Sequence, residues 1–243
     1  MAITFDTATN GGNANANSLT FAHTCTGSNL FLVVSVFDSN DTVSGVTYAG
    51  VSMTKAWTST GLGESFWYLI GPASGANNVV VTKSAGTASL GAVAASYAGC
   101  NQTAIDSKGS NTANQTTSPQ TVNTTVVASN CWTIGYSSYN NGLGGTATTV
   151  DKTRRITQDW TGSGNAVGVL IADSNATVGT GAQGITYTRT GTVQNYQSNT
   201  LSISPSVAAG PANLKTYNTN VKANIKSIDT NLIANVKSLN TNT

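Results

Sequence analysis

The run Leu30-Phe-Leu-Val-Val-Ser-Val-Phe37 decides the fold of this 243-residue chain. All but one of its residues are apolar, and the β-branched and aromatic side chains among them favour β-strands. A half-buried strand alternates apolar and polar residues, whereas a continuous apolar run of this length is typical of a strand covered on both faces. We therefore expect residues 30–37 to form a central strand between two packed layers.

Similar short segments occur throughout residues 3–204, separated by Gly, Asn and Ser turns at the spacing of a sandwich or barrel. The predicted strands are residues 18–24, 30–37, 43–48, 64–70, 78–82, 90–97, 121–127, 131–137, 166–172, 185–189 and 200–203. No helical period of useful length appears in this body. The predicted fold class is all-β, and a jelly-roll-like β-sandwich is the economical solution because two packed sheets hide most strand edges.

The last part of the chain is periodic. We expect residues 1–204 to be the sandwich body, 205–212 (PSVAAGPA) to be a linker, and 213–243 to be a tail of an eleven-residue repeat, NLKTYNTNVKA, NIKSIDTNLIA and NVKSLNTNT. Its regularly spaced apolar residues, the predicted assembly interface, are Leu214, Tyr217, Val221, Ile225, Ile228, Leu232, Val236 and Leu239.

Two structures fit this period. An eleven-residue repeat gives a helix with a right-handed supercoil, while the Asn, Thr and Ser residues favour extended rungs that end in Asx-type turns. The composition leans slightly toward the extended form. A unit of this size cannot bury its own apolar face, so either form needs another surface, and we expect a homo-oligomer, a trimer.

Composition narrows the function classes. Only 8% of residues are charged and the net charge is +2, so the concentrated basic face of a nucleic-acid binder is not expected. The longest apolar runs are too short to cross a bilayer, and residues 1–12 lack the pattern of a signal peptide. The cysteines Cys25, Cys100 and Cys131 have no CxxC spacing, and we expect three small buried residues rather than a zinc site or a disulfide framework.

Several motifs resemble those of a family of β-sandwich proteins found in tailed-phage and environmental bacterial genomes. These are Val46-Thr-Tyr-Ala-Gly-Val-Ser-Met-Thr54, Phe66-Trp-Tyr-Leu-Ile-Gly-Pro72 leading into Asn78-Val-Val-Val-Thr82, and Ser96-Tyr-Ala-Gly-Cys-Asn-Gln-Thr103 followed by Asp106. Members of that family also carry short Asn/Lys-rich C-terminal repeats. The family pattern more often has Asn at Ala49 and Pro at Ala104. The resemblance implies a virion-associated fibre, decoration or receptor-contacting protein.

Residues that could carry catalysis are sparse. Glu64 is the best single candidate acid because the neighbouring Phe66 and Trp67 could raise its pKa, but an exposed residue at the start of a strand is the simpler interpretation. His23 is the only histidine, and without a G-x-S-x-G elbow we expect it to be a half-exposed strand side chain. We expect no catalytic residue, no enzyme activity and no cofactor.

Binding residues are better represented. Trp57, Tyr139 and Trp160 lie near Gly, Asn and Asp, which predicts an exposed glycan-binding surface in loops. For Trp57 and Trp160 a place in the sandwich core is an equally good interpretation, and Trp67 and Trp132 belong to the core. Asp38 and Asp41 form a weak candidate calcium site, with a plain Asx turn as the simpler interpretation. The basic cluster Lys152-Thr-Arg-Arg155 fits a charged edge strand equally as well as a contact with an acidic partner or glycan.

These observations favour a bacteriophage virion structural protein of the capsid-decoration, head-fibre or tail-fibre type. It would display a β-sandwich at the particle surface and be assembled or anchored through residues 213–243, with copies of itself and other virion proteins as partners. The alternatives are a carbohydrate-binding adhesin module that recognises cell-surface glycan, and a subunit of a self-polymerising extracellular filament. A glycan-cleaving enzyme ranks last.

Overall fold

The computed structural model describes residues 1–38, 42–58, 63–87, 89–110, 118–141, 149–162, 165–188 and 196–207. Met1–Val207 form one compact unit. The repeat tail lies outside the described residues. Within the described ranges the chain is all-β, without a helix, and accordingly none of these segments is an apolar helix long enough to span a membrane.

The strands belong to two consecutive modules. The first module contains β1 (Thr4–Asn15), β2 (Ser18–Cys25), β3 (Phe31–Asp38), β4 (Val43–Tyr48), β5 (Val51–Ser52), β6 (Thr54–Thr58), β7 (Glu64–Ile70), β8 (Gly75–Lys83) and β9 (Ser89–Ala98). The second contains β10 (Ser107–Ser110), β11 (Gln120–Val126), β12 (Trp132–Asn141), β13 (Thr149–Val150), β14 (Thr153–Gly162), β15 (Asn165–Asp173), β16 (Gly181–Thr188) and β17 (Tyr196–Ile203).

The two modules have the same strand order. In the first, an inner sheet β1-β9-β3-β7-β6 packs on an outer sheet β2-β8-β4-β5; in the second, the inner sheet is β10-β17-β12-β15-β14 and the outer sheet β11-β16-β13. Strands β10 to β13 thus correspond to β1 to β4, and β14 to β17 to β6 to β9. Strand β5 has no counterpart in the described part of the second module.

Most successive strands alternate between the two sheets of each module, as in a jelly roll, and the exceptions are the neighbours β4 and β5, β6 and β7, and β14 and β15. This confirms the predicted all-β, jelly-roll-like sandwich. The number of sandwiches differs from the prediction, which assigned one to residues 1–204. The predicted segments contain too few strands for two modules because β1, β6, β10 and β14 are polar or mixed in sequence.

Backbone irregularities repeat between the modules. Gly75 and Gly181 begin equivalent strands, and each has φ of 93°. The turns before β3 and β12 each contain an asparagine in the left-handed region, Asn29 at 53° and Asn130 at 59°. Glycine and asparagine tolerate this conformation best. The same turn geometry is therefore built twice along the chain.

The edge strands β6 and β14 share a bulge. The register shifts between Lys55 and Trp57 in β6, and between Arg154 and Ile156 in β14. Ala56 and Arg155 are consequently the extra residues at equivalent positions. Strand β14 also confirms that the basic cluster lies on a charged edge strand.

The inner sheets of the two modules pack face to face, giving four layers. Their shared core includes Ile3, Phe31, Val33, Phe37, Phe66, Val93, Ala95, Tyr97, Trp132, Ile134, Tyr136, Val169, Ile171, Leu201 and Ile203. Separate apolar clusters lie between the inner and outer sheets of the first module and of the second. Every residue of β3 is buried, which confirms the expectation for residues 30–37.

The end of the body is joined to its beginning. Pro205 forms an isolated bridge with Cys100, the Ser206 amide donates to the Gly99 carbonyl at 2.7 Å, and the Met1 ammonium donates to the Ser206 carbonyl at 2.8 Å. The described chain therefore leaves the body beside its own first residue. The predicted linker begins inside the compact unit, because Pro205 and Ser206 are still paired with the first module.

Candidate binding cleft

A cleft of about 240 Å³ opens where β6 of the first module meets β10 of the second. Its lining combines two aromatic rings with polar groups from the second module. The lining residues are Ala56, Trp57, Phe66, Lys108, Gly109, Ser110, Asn199, Thr200 and Leu201. The cleft therefore exists only because the two modules are packed together.

The bulge residues explain why this edge is open. At the opposite edge, where β1 and β14 are in contact, Arg155 lies over the Phe5 ring, with 4.0 Å between Cζ and the ring centroid. Ala56 holds the equivalent position at the β6 edge and ends at its Cβ. A long cationic side chain thus covers one groove between the modules, and a methyl group leaves the other accessible.

Trp57 forms the aromatic wall of the cleft. Its ring is half-buried and lies 6.1 Å from the Tyr136 ring, centroid to centroid, with an interplanar angle of 55°. It belongs to edge strand β6 and not to a loop, which corrects the prediction. The contact with Tyr136 packs one side of the indole against the core. Another part of the indole lines the cleft.

Lys108 supplies the positive charge. It lies on β10, and its Nζ donates a hydrogen bond of 3.1 Å to the Ala56 carbonyl across the boundary between the modules. This bond holds the ammonium group at the cleft while leaving its other N–H donors for another acceptor. Sequence reasoning missed Lys108 because the surrounding Ser-Lys-Gly-Ser resembles an ordinary polar loop.

Asn199 supplies a buried donor. Only 4% of this residue is exposed, and its Nδ2 has no hydrogen-bond partner among the residues that the structure places. Leu201, two residues further along β17, faces the core between the inner sheets, so Asn199 faces the same layer because side chains in a strand alternate. An amide of this kind is costly to bury unless something accepts its hydrogen bond.

These groups suit a small polar ligand with one apolar face. The Trp57 ring offers a surface for stacking, and Lys108 and Asn199 offer donors beside it. Pockets for drug-sized ligands are about 300–1,000 Å³, so a cleft of about 240 Å³ fits a single ring. The arrangement is one of recognition, with aromatic and hydrogen-bonding groups on rigid strands.

The other two predicted glycan-binding residues belong to other strands. Tyr139 pairs with Gly168 and Tyr196 in the inner sheet of the second module, and Trp160 on β14 pairs with Val167. Both belong to strands and not to loops, and β14 is at the sheet edge opposite β10. The described partners of Trp57 in its cleft are instead Lys108 and Asn199. The side chains of Tyr139 and Trp160 lie outside the described residues.

His23 and Glu64 are more buried than the sequence suggested. His23 is 1% exposed because β2 packs against the inner sheet, and its Nδ1 lies 2.8 Å from the Thr9 hydroxyl oxygen. Glu64 is fully buried at the first position of β7, opposite Phe37. The expected half-exposed histidine and exposed glutamate are thus both corrected. Trp67 and Trp132, at 5% and 7% exposure, are core residues as predicted.

Asp38 is paired with a protein cation. Its Oδ1 lies 2.6 Å from the Lys83 ammonium, and both side chains are fully buried. The amide and hydroxyl of Thr42 donate to Oδ2. Asp41 lies outside the described residues. Among the side chains that the structure describes, no group of three or more His, Cys, Asp and Glu could hold a metal ion.

The three cysteines are buried and free, as predicted. Burial raises the pKa of each thiol, to about 12 for Cys100. They are therefore neutral at physiological pH. Their role is that of small packing residues.

Comparisons of the chain with protein-family models, with curated proteins and with solved structures find no match.

Proposed function

We propose that this protein is a structural protein of a tailed-phage particle, of the decoration or fibre type. Its doubled sandwich is displayed at the virion surface, and its repeat tail assembles with other copies or attaches to other virion proteins. The proposal combines the motifs described above with the repeat in residues 213–243. One structural relationship of the described body supports it: residues 205 and 206 lie at one end of the inner sheets, and the strand ends at Asp38 and Asn141 lie at the other.

Ser206 marks one end of the body, where it is hydrogen-bonded to Gly99 and Met1, and in this proposal it is the end nearer the attachment. The opposite end is defined by strand register. Asp38 pairs with Leu90 at the start of β9, far along the ladder from the Phe31–Tyr97 pair. Likewise Asn141 pairs with Ala166 in the second module, far from Trp132 and Ile203.

Connections in both modules leave from this opposite end. They follow Asp38, Thr58, Asn141 and Gly162. Loops at one end of a rigid sandwich are common positions for recognition. A body fixed at its Ser206 end would direct these four strand ends outward.

Light scattering of the full-length chain tests the assembly function. We expect a defined homo-oligomer, a trimer, and a monomer for residues 1–207, because the described unit has its own cores. The double variant Ile225→Asp/Ile228→Asp should dissociate the oligomer, since it places two charges among the regularly spaced apolar residues of the predicted assembly interface. Asn224→Asp/Asn231→Asp adds the same charge at polar positions of the repeat and should leave the oligomer intact.

Other outcomes of this experiment would exclude the proposal or change it. A full-length chain that stays monomeric at high concentration would contradict it. A mass that grows without limit with concentration would favour the self-polymerising filament instead. Electron microscopy of particles with an antibody against the body would then establish the location.

The cleft favours a second candidate function, that of a carbohydrate-binding adhesin module. A half-buried tryptophan beside unsatisfied donors is suited to stacking on a sugar and bonding its hydroxyl groups. Binding of the full-length protein to a glycan array should be lost in Trp57→Ala. It should persist in Val51→Ala, which truncates a side chain that is 54% exposed on β5.

A further inference from the structure

We infer that the cleft between β6 and β10 binds a carboxylated pyranose ring, a uronic acid unit of an acidic polysaccharide. The inference rests on the carbohydrate-binding candidate above and goes further by assigning the ligand's charge. It stands on three features of the cleft: its sign of charge, its unpartnered donor and its aromatic wall.

The charge at the cleft is positive. Lys108 is the cation among the lining residues, and within the part of the chain that the structure describes no Asp or Glu lines the cleft. The bond from Lys108 to the Ala56 carbonyl positions its ammonium without neutralising it. A neutral sugar would leave this charge without a counter-ion, whereas a carboxylate would form a charge-assisted hydrogen bond.

The donor geometry also calls for an acceptor. Asn199 Nδ2 is buried and unpartnered, and it shares the cleft with Lys108. Two donors from neighbouring strands β17 and β10, which pair at Asn199 and Ser110, match the two oxygens of one carboxylate. The buried amide then gains the hydrogen bond that the free protein does not supply.

The Trp57 ring favours a ligand in which the carboxylate is attached to a sugar ring. The apolar C–H face of a pyranose stacks on an indole, and the backing of Trp57 by Tyr136 keeps that indole in place. The small volume admits one such ring. A longer polysaccharide would enter from the open side and place a single unit in the cleft.

The test compares two ligands that differ only at C6, methyl β-D-glucuronide with a carboxylate and methyl β-D-glucoside with a neutral hydroxymethyl group, titrated into full-length ¹⁵N-labelled protein. The readouts are the Trp57 indole and Asn199 side-chain amide signals. We expect the glucuronide to shift both signals and to bind about tenfold more tightly, since a hydrogen bond to a charged group is worth roughly this factor. Added salt should weaken glucuronide binding and leave glucoside binding unchanged.

Variants locate the effect. Lys108→Gln should abolish the preference for glucuronide. Lys55→Gln is the matched control because it removes the same charge from β6, where Lys55 lies over the Trp67 ring, 4.8 Å from its centroid. Ser110→Glu places a carboxylate at an exposed lining position, and it should repel the glucuronide even if Lys108→Gln folds poorly.

Asn199→Leu separates binding from folding. It should lower glucuronide affinity about tenfold while maintaining or raising the melting temperature, because it removes a buried donor without a partner. Equal affinity for the two methyl glycosides would overturn the inference and leave the carbohydrate-binding candidate standing. If neither ligand shifts the Trp57 and Asn199 signals at millimolar concentration, both fail, while the virion proposal is still decided by light scattering.

Discussion

The Tyr97 hydroxyl of the first module donates a hydrogen bond of 2.9 Å to Oδ2 of Asp173 in the second. Both residues are fully buried. Burial and the Asp173 charge raise the pKa of Tyr97 well above its ordinary value, so the phenol remains a donor. Arg155 donates to both oxygens of the same carboxylate, at 2.6 and 2.9 Å. A buried carboxylate is thus held by both modules.

Breaking this network should destabilise the whole body. Arg155→Met leaves Asp173 buried without its cation, and we expect a loss of about 3–5 kcal/mol in the free energy of unfolding. Tyr97→Phe removes one bond to a charged acceptor and should cost about 1.5–3 kcal/mol. Urea denaturation measures both. The control is Lys152→Met, whose ion pair with Asp151 is partly exposed and should contribute less than about 1 kcal/mol. A loss in Arg155→Met no larger than this control would exclude the proposed role.

His23 should make stability depend on pH. Burial lowers its pKa from 6.5 to about 4, against the opposing effect of the Asp6 charge. The unfolded chain therefore binds a proton between pH 6.5 and 4 while the folded chain does not. The stability that depends on neutral His23 is complete above pH 6.5 and declines as the pH falls to about 4, by at most about 1.4 kcal/mol per pH unit.

His23→Thr provides the comparison, because Thr124 holds the equivalent buried position on β11. Its free energy of unfolding, measured at several pH values, should vary less between pH 6.5 and 4 than that of the parent protein. The same slope in both proteins would show that another group causes it.

The Lys83–Asp38 pair should be essential to the first module. Both side chains are fully buried. Lys83→Met removes the cation of this buried pair, and we expect a loss of about 3–5 kcal/mol in the free energy of unfolding. The double variant Lys83→Met/Asp38→Leu should recover much of this loss, since it removes both charges of the pair. A double variant as unstable as Lys83→Met would indicate that the loss of stability comes from altered packing and not from the buried charge.

Asp6 and Asp106 accept hydrogen bonds from equivalent turns, those that follow β2 and β11. Asp6 accepts hydrogen bonds from the Thr26 amide and the Ser96 hydroxyl, and Asp106 from the Val127 amide and the Ser202 hydroxyl. Asp6 is the third residue of β1 and Asp106 directly precedes β10, and the next residues, Thr7 and Ser107, pair with Ser96 and Ser202. The two modules therefore share a polar connection as well as a strand order.

The Asp106 carboxylate should contribute to stability above acidic pH. Burial alone would raise its pKa, but hydrogen bonds from the Val127 and Ala128 amides and from Ser202 lower it below 3.8. This contribution is present above about pH 4 and is lost as the pH falls through the lowered folded value. Asp106→Asn should cost about 1–3 kcal/mol at pH 7 and flatten the acid side of the stability curve. An acid side as steep as that of the parent protein would contradict this assignment.

The sequence predicted those parts of the fold that depend on continuous apolar runs. Residues 43–48 and 64–70 were assigned with the bounds that β4 and β7 have in the structure. Strands β1 and β14 were missed because they are edge strands that are partly exposed and can therefore use polar residues. Among these are Asn10 and Gln158, which contact one another across the module boundary.

The candidate site was predicted only in part. Trp57 was identified because a tryptophan beside glycine is conspicuous in sequence. Lys108 and Asn199 were not, since only the packing of two modules brings residues so distant in the chain to one cleft. The doubling shows in only a few identical residues, such as the pairs Asn29 and Asn130, Gly75 and Gly181, and Asp6 and Asp106. Elsewhere the strand register is repeated with different residues, since Phe31 corresponds to Trp132 and His23 to Thr124.

The hydrogen bond between the Met1 ammonium and Ser206 has a practical consequence for engineering. A fluorescent protein or affinity tag fused before residue 1 would sit beside Ser206, where the described chain leaves the body. A peptide inserted after Asn141 would start at the opposite end of the inner sheet of the second module. Cargo can thus be placed at either end of the body, depending only on where it is spliced.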